Sequence, residues 1–268
     1  MFAKFRDLIL KTFKFKLQNQ YLCTKFNLMF RKVIDNFIHT KKYPEFAPKA
    51  IFFDMDGILF DSMKYHASAW VKALHETGLP FTIEEAYMNE GRTGASTIDS
   101  VFKNTYGRTS TEEEKQRVYS LKSKYFETEA KIEQIPFVFE LLKKIQKQEL
   151  EIFLVTGSGQ ASLLGNLEVH FPGVFSQEKM VTAYDVKLGK PHPEPYLIAL
   201  HKSKLNPWEV MVIENAPLGV ESANAAGLFT VAVNTGPLNP NVLTVSGANI
   251  LFDSMKSLYE HWNEIVNI

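Results

Sequence analysis

Two carboxylates one residue apart, Asp54 and Asp56, close a run of four apolar residues, Ala50-Ile51-Phe52-Phe53. One carboxylate of such a pair can attack phosphorus while its neighbour moves protons, and both can offer oxygens to a hard cation such as Mg²⁺. The apolar run does not alternate, which suits a strand buried on both faces of a parallel sheet. Ligands in open α/β sheets bind beyond the carboxyl ends of the strands, so the pair is expected at a sheet mouth, with Gly57 turning the chain away. An ordinary Asp-Gly turn would explain the dipeptide alone. Three partners downstream argue against that reading.

Two of the partners directly follow another apolar run. Phe153-Leu154-Val155 ends in Thr156-Gly157-Ser158, where a hydroxyl and the following backbone N–H groups can donate to phosphoryl oxygens. Gly189-Lys190-Pro191 sets a lysine between two residues that constrain the backbone, whereas a single lysine is ordinarily a solvated surface charge. Val210-Met211-Val212-Ile213 ends in Glu214-Asn215.

These elements must hang on a larger frame. The chain has 268 residues and 45% hydrophobic content, enough for one or two domains with a sizeable core. Periodicity predicts strands near 50–53, 151–155, 180–182, 209–213, 229–233 and 250–252, with helices between them, hence a parallel α/β sheet covered on both faces. Residues 63–77 predict a helix. From 83 to 133 the signals are helical and increasingly charged, with a capping start at Thr111, and no strand is evident. Cys23 is the only cysteine, so there is neither an intrachain disulfide nor a cysteine-based metal site; this fits a reducing compartment, and a cytoplasmic location is expected. No apolar run approaches the length of a membrane span.

The zero net charge hides an asymmetry. Residues 1–49 carry 11 Lys/Arg against 3 Asp/Glu, which leaves 19 against 27 for the rest of the 30 of each. An acidic body gives no case for nucleic-acid binding. Residues 1–48 read as a basic extension outside the fold, one or two loosely attached helices joined by a Pro44–Pro48 linker. A targeting presequence fits poorly because the segment has no Ser, and a membrane-surface helix is the less favoured alternative.

With all four sites in order at strand ends, residues 50–268 resemble the haloacid dehalogenase superfamily, in its β-phosphoglucomutase-like branch. The strings EGRTGAST, VTGSGQ, GKPHPEPY and IENAPLGVE look closer still to members that act as inorganic pyrophosphatases. The resemblance implies a Rossmann-like core over 49–63 and 134–268 and a small helical cap over 64–133. It implies Asp54 as nucleophile, Asp56 as acid and base, and Thr156 and Lys190 as the groups that hold the phosphoryl. Gly157 and Ser158 would bind substrate beside them. The chain departs from the family in its fourth motif, where Asn215 stands for one of two usual acids and leaves the site one negative charge short. Glu90, in the substrate-specificity loop of the cap, is the candidate to restore it. The implied Mg²⁺ ligands are then Asp54, Asp56, Glu214, Asn215 and Glu90. Arg92 in the same loop offers a fork of donors to a second phosphate. His66, 12 residues after Asp54, falls where mutase relatives place a hinge histidine. The lysine of the mutase cap aligns with Leu121, beside Lys122. The expected activity is Mg²⁺-dependent hydrolysis of pyrophosphate by a monomer acting on a small phosphate compound; a β-phosphoglucomutase or sugar-phosphate phosphatase is the alternative. A vestigial, non-catalytic binder would be expected to have lost Asp54.

Overall fold

The computed structural model describes residues 26–159 and 161–266. Six parallel strands form one sheet in the order β3-β2-β1-β4-β5-β6: β1 Ala50–Phe53, β2 Glu151–Val155, β3 Met180–Val181, β4 Val210–Glu214, β5 Phe229–Val233 and β6 Ile250–Phe252. The strand order reverses at β1, which pairs with β2 on one side and β4 on the other. A crevice therefore opens at its carboxyl end, where Asp54 lies. Every residue of β1, β4 and β5 is buried. That double burial is why these strands are apolar without alternation. Ile51 and Phe53 face one core layer, and Ala50 and Phe52 the other.

Helices α6 (Val138–Lys147) and α11 (Met255–Val266) cover the first face; α8 (Glu194–Ser203) and α9 (Pro217–Ala225) cover the second. The five-residue α10 (Asn241–Val245), unmarked by any periodicity, packs through Leu243 against Val220 and Ala232.

Between β1 and β2 the chain leaves the sheet for α2 (Met63–Glu76), α3 (Ile83–Met88), α4 (Gly94–Tyr106) and α5 (Glu112–Glu129). These helices share a core of their own, built from Leu74, Phe81, Ile98, Phe102 and Val118 among others. The capping start expected at Thr111 is present: its side chain accepts from the Glu114 N–H while the Glu114 carboxylate accepts from the Thr111 N–H. The fold is thus a Rossmann-like α/β core carrying a helical cap after its first strand.

The expectation for residues 1–48 requires correction. Residues 26–41 form a helix, α1, and bury Phe30, Ile34 and Phe37 in the main core layer. Phe37 meets the Phe229 ring edge to face at 5.1 Å, and Lys41 Nζ donates to the Asn224 carbonyl at 3.1 Å. The supposed linker is docked as well. Ala47 N–H donates to the Trp208 carbonyl at 3.0 Å, and Phe46 packs on Phe229 at 4.6 Å. The cause is an apolar stripe at helical spacing, Phe26, Phe30, Ile34 and Phe37, within a basic segment. Each such side chain, fully buried, is worth about 1.5–3 kcal/mol. Residues 1–25, also assigned to the extension, lie outside the described residues. Among the described residues no helix is long and apolar enough to cross a membrane.

Candidate active site

The site begins with backbone register. The Asp54 N–H donates to the Ile213 carbonyl at 3.0 Å, extending the β1–β4 ladder by one residue. The Thr156 N–H does the same toward Val181 at 2.9 Å. Both side chains are buried at the sheet mouth. Gly57 then turns the chain with φ +80°, and a methyl group there would lie 2.2 Å from the Asn215 amide nitrogen. Only glycine satisfies both constraints.

Lys190 is 1% exposed, far from the solvated state usual for lysine. Its ammonium donates to Asp54 Oδ1 at 2.5 Å, to Glu214 Oε1 at 2.6 Å and to the Val155 carbonyl at 3.0 Å, using all three hydrogens. Burial works against this charge, but Asp54 and Glu214 outweigh it and raise the lysine above its ordinary value. Asp54 moves up to about 8, chiefly through burial, with Glu214 and Asp56 adding repulsion that Lys190 only partly offsets.

Glu214, named among the candidate metal ligands, is placed otherwise. Its Oε1 accepts from Lys190 and from the Tyr196 hydroxyl at 3.0 Å; its Oε2 accepts from the N–H groups of Asn215 at 2.9 Å and Ala216 at 3.1 Å. These four donors saturate the carboxylate. Glu214 therefore anchors Lys190 and has no lone pair left for a cation. Gly219 makes room for it, since a methyl group there would lie 1.8 Å from Glu214 Oε1.

Asp56 Oδ1 accepts from Ser62 Oγ at 2.6 Å and from His66 Nε2 at 3.1 Å. His66 Nδ1 is 2.8 Å from Lys122 Nζ. Burial would raise Asp56, yet His66, Ser62 and Lys122 hold it below its ordinary value. Burial, then Lys122, push His66 down, so the ring is neutral and acts on Asp56 through its Nε2–H. Burial also lowers Lys122 to about 8, which keeps it protonated near neutrality and able to donate to Nδ1. The ammonium sits among the rings of Trp70, Tyr119 and Phe126 at 5.1–5.9 Å, a cation–π environment. The mutase-type lysine had aligned with Leu121; the structure brings its neighbour Lys122 into the site. The resemblance pointed only beside it, and by composition a lone lysine in a charged helix reads as surface.

From the cap loop, Glu90 is 7% exposed and its Oε1 accepts from Asn215 Nδ2 at 2.8 Å. Burial raises its carboxyl well above the ordinary range, and nearby Asp54 adds to this. Asn215 Oδ1 is buried with no hydrogen-bond partner among the described residues. Arg92 is half-buried, donates from Nε to Asn89 Oδ1 at 2.9 Å, and lines the same cavity. The Thr156 hydroxyl oxygen accepts from the Ser158 N–H at 3.0 Å. That N–H, expected to face a phosphate, turns back on Thr156 and leaves the hydroxyl hydrogen to donate. Asp54, Asp56, His66, Glu90, Arg92, Lys122, Thr156, Gly157 and Ser158 all line one cavity between core and cap.

Among the described residues no three His, Cys, Asp or Glu side chains stand ready as a metal cage. Mg²⁺ asks for less than that, since it binds through one or two carboxylates, water and substrate phosphates. An orphaned amide oxygen beside carboxylates that burial forces toward protonation is a donor set that a hard cation would satisfy, so Asp54, Asp56, Asn215 and Glu90 fit the group.

A parallel sheet with this mouth and an inserted cap defines a phosphoryl-transfer class of α/β enzyme. Residues 51–233, more than half of the chain, match the family model of the haloacid dehalogenase-like hydrolases, and the chain belongs to that family. It is 29% identical over 185 residues to a phosphorylated carbohydrates phosphatase of Thermotoga maritima, covering 67% of this chain and 82% of the relative. It is 25% identical over 226 residues to the beta-phosphoglucomutase of Bacillus subtilis, covering 81% and 96%. A solved structure from Bacteroides vulgatus, assigned as a candidate beta-phosphoglucomutase, superposes with a TM-score of 0.87 at 49% identity over 90% of this chain and 98% of its own. The chain is thus a phosphatase-type enzyme close to the β-phosphoglucomutase-like proteins.

Proposed function

We propose that this enzyme hydrolyses inorganic pyrophosphate with Mg²⁺ as cofactor. The observation that carries the reading is how the cap fills the cavity. Glu90 enters from the cap and bonds Asn215 at 2.8 Å, which sets a buried carboxylate in the cavity that Asp54, Asp56 and Arg92 also line. That carboxylate occupies room that a sugar ring would need, which favours a compact diphosphate.

Asp54 is placed to attack phosphorus, forming the Asp54 Oδ–P bond as the P–O bond to the leaving phosphate breaks. Lys190 sits beside the attacking carboxylate and stabilises the transferring group, and the Thr156 hydroxyl donates to an equatorial oxygen. Asp56 then takes a proton from water as the water attacks phosphorus, which releases phosphate and frees Asp54. Asp54, Asp56, Asn215 and Glu90 would hold Mg²⁺, which when bound neutralises phosphate charge and orients the substrate oxygens. Asp56 is held ionised at rest, which suits a base. A phosphate leaving group departs with little proton assistance, whereas a sugar alkoxide needs a strong general acid.

A β-phosphoglucomutase or sugar-phosphate phosphatase is the second reading. The Lys122–His66–Asp56 chain favours it, because it can deliver a proton to Asp56, and so do the activities of the relatives. Phosphate release from pyrophosphate, glucose 1-phosphate and nucleoside monophosphates with Mg²⁺, together with conversion of glucose 1-phosphate to glucose 6-phosphate, separates the two. Pyrophosphate turned over fastest supports the first reading; preference for a sugar phosphate replaces it with the second.

A further inference from the structure

Three loops meet where the cap touches the core, and each presents a glycine. A methyl group built on Gly157, in the loop after β2, would lie 2.2 Å from the carbonyl oxygen of Gly91 in the cap. One built on Gly189, beside Lys190, would lie 2.8 Å from Thr93 Cγ2 and 3.1 Å from Thr93 N. One on Gly91 would lie 3.0 Å from Lys190 Cδ. Ordinary non-bonded contacts between carbon atoms fall at about 3.5–4.0 Å, so any of these methyl groups would push the surfaces apart. Gly91 also needs its left-handed backbone, φ +89°, whereas Gly157 and Gly189 have no positive φ. At those two positions alanine is excluded by the cap alone.

The same seating of the cap brings Glu90 within 2.8 Å of Asn215 and sets its carboxylate in the cavity. We propose that Gly157 and Gly189 are specificity-determining positions: bare backbone there sets how deeply the cap loop seats, and so the size of the phosphate compound that the closed site accepts. Thr93 is the matching surface on the cap. Its methyl group meets Gly189 while its hydroxyl caps α4 by accepting from the Ser96 N–H at 3.3 Å. The inference rests on the chain being a phosphohydrolase, not on which phosphate it prefers.

The test uses the full chain and its variants Gly157→Ala, Gly189→Ala, Thr93→Ser and Thr93→Ser/Gly189→Ala. Each is assayed for kcat and KM with pyrophosphate, acetyl phosphate and glucose 1-phosphate at saturating Mg²⁺. The Gly157→Ala clash is against backbone and displaces the loop by roughly 1 Å, so kcat for the two small substrates should fall about 100-fold. KM should change less, because the lost contacts belong to the closed state, and relative preference should move toward glucose 1-phosphate. Gly189→Ala should lose about tenfold, and Thr93→Ser, which removes the opposing methyl but keeps the helix cap, should recover at least about threefold of it. That recovery is a readout that general damage to the fold would not give. Wild-type kcat and substrate preference in the folded alanine variants would overturn the proposal, as would strictly additive effects of Thr93→Ser and Gly189→Ala. If the wild type ignores pyrophosphate, the proposed substrate fails, while the cycle still reads on whichever phosphate is turned over.

Discussion

The two halves of the catalytic cavity are built on different terms. On the core side the Asp54–Lys190–Glu214 group is settled within one domain: Lys190 uses its three hydrogens on Asp54, Glu214 and Val155, and Glu214 is saturated by four donors. On the cap side, two side chains reach polar partners across the junction. Glu90 reaches Asn215, His66 (itself held by Lys122 within the cap) reaches Asp56, and Asn215 Oδ1 is left without a partner among the described residues. Phosphoryl chemistry is therefore preformed where strand register fixes it. On the proposed reading, selection of substrate and the last charge for a metal arrive with closure. Substitutions on the two sides should fail in different ways.

The largest effect belongs to the core. Asp54→Asn keeps the shape but removes the nucleophile, so turnover should fall by at least about 10⁴-fold in a protein with a native circular dichroism spectrum. Comparable activity in that variant would erase the distinction between the two sides.

Glu90→Ala is the corresponding test of the cap. Loss of a metal-binding carboxylate should raise the Mg²⁺ concentration needed for half-maximal activity by about 10–100-fold and should admit larger organic phosphates. A readout independent of activity comes from linkage. Asp54 is raised from 3.8 to about 8 and Glu90 is raised well above 4.5. Their contribution to stability is thus fully present at low pH and is lost as pH rises through these folded-state values. Mg²⁺ binds the ionised forms, so it should raise the melting temperature more at pH 8 than at pH 5, and Glu90→Ala should shrink that difference. Unchanged Mg²⁺ dependence and preference would make Glu90 a structural acid.

Lys122→Met should cost less, about tenfold in kcat, by removing the donor that fixes the His66 tautomer. Lys122 is lowered to about 8 by burial, so wild-type activity should decline above that pH, and Lys122→Arg should flatten the decline. A pH profile identical in wild type and Lys122→Arg would exclude this lysine from the proton path.

These comparisons also mark what the sequence could show. Asp54, Thr156 and Asn215 were legible because each follows a buried parallel strand, and burial on both faces writes itself as an unbroken apolar run; Lys190 was legible from its Gly-Lys-Pro setting. Glu214 was legible as a position but not as a role, since saturation by Tyr196 and two backbone N–H groups is a tertiary fact. Lys122 was legible only as the neighbour of Leu121 in an inexact alignment, because its aromatic surround is assembled from α2 and α5. The α1 stripe was readable at Phe26, Phe30, Ile34 and Phe37, yet the basic composition around it suggested a segment apart. Phe37→Ala should therefore cost about 3–5 kcal/mol of stability while leaving kcat of the folded enzyme within about twofold, the smallest functional effect expected here. No loss of stability would return α1 to a loosely attached segment.

The central claim is that the core side performs covalent phosphoryl transfer on Asp54 once the cap has closed. Rapid acid quench during turnover of pyrophosphate with Mg²⁺, followed by peptide mass spectrometry, tests it most directly. The account predicts a phosphoryl adduct on the peptide bearing Asp54, forming within one turnover and absent from Asp54→Asn. Full turnover with no adduct, or an adduct on another residue, would contradict it.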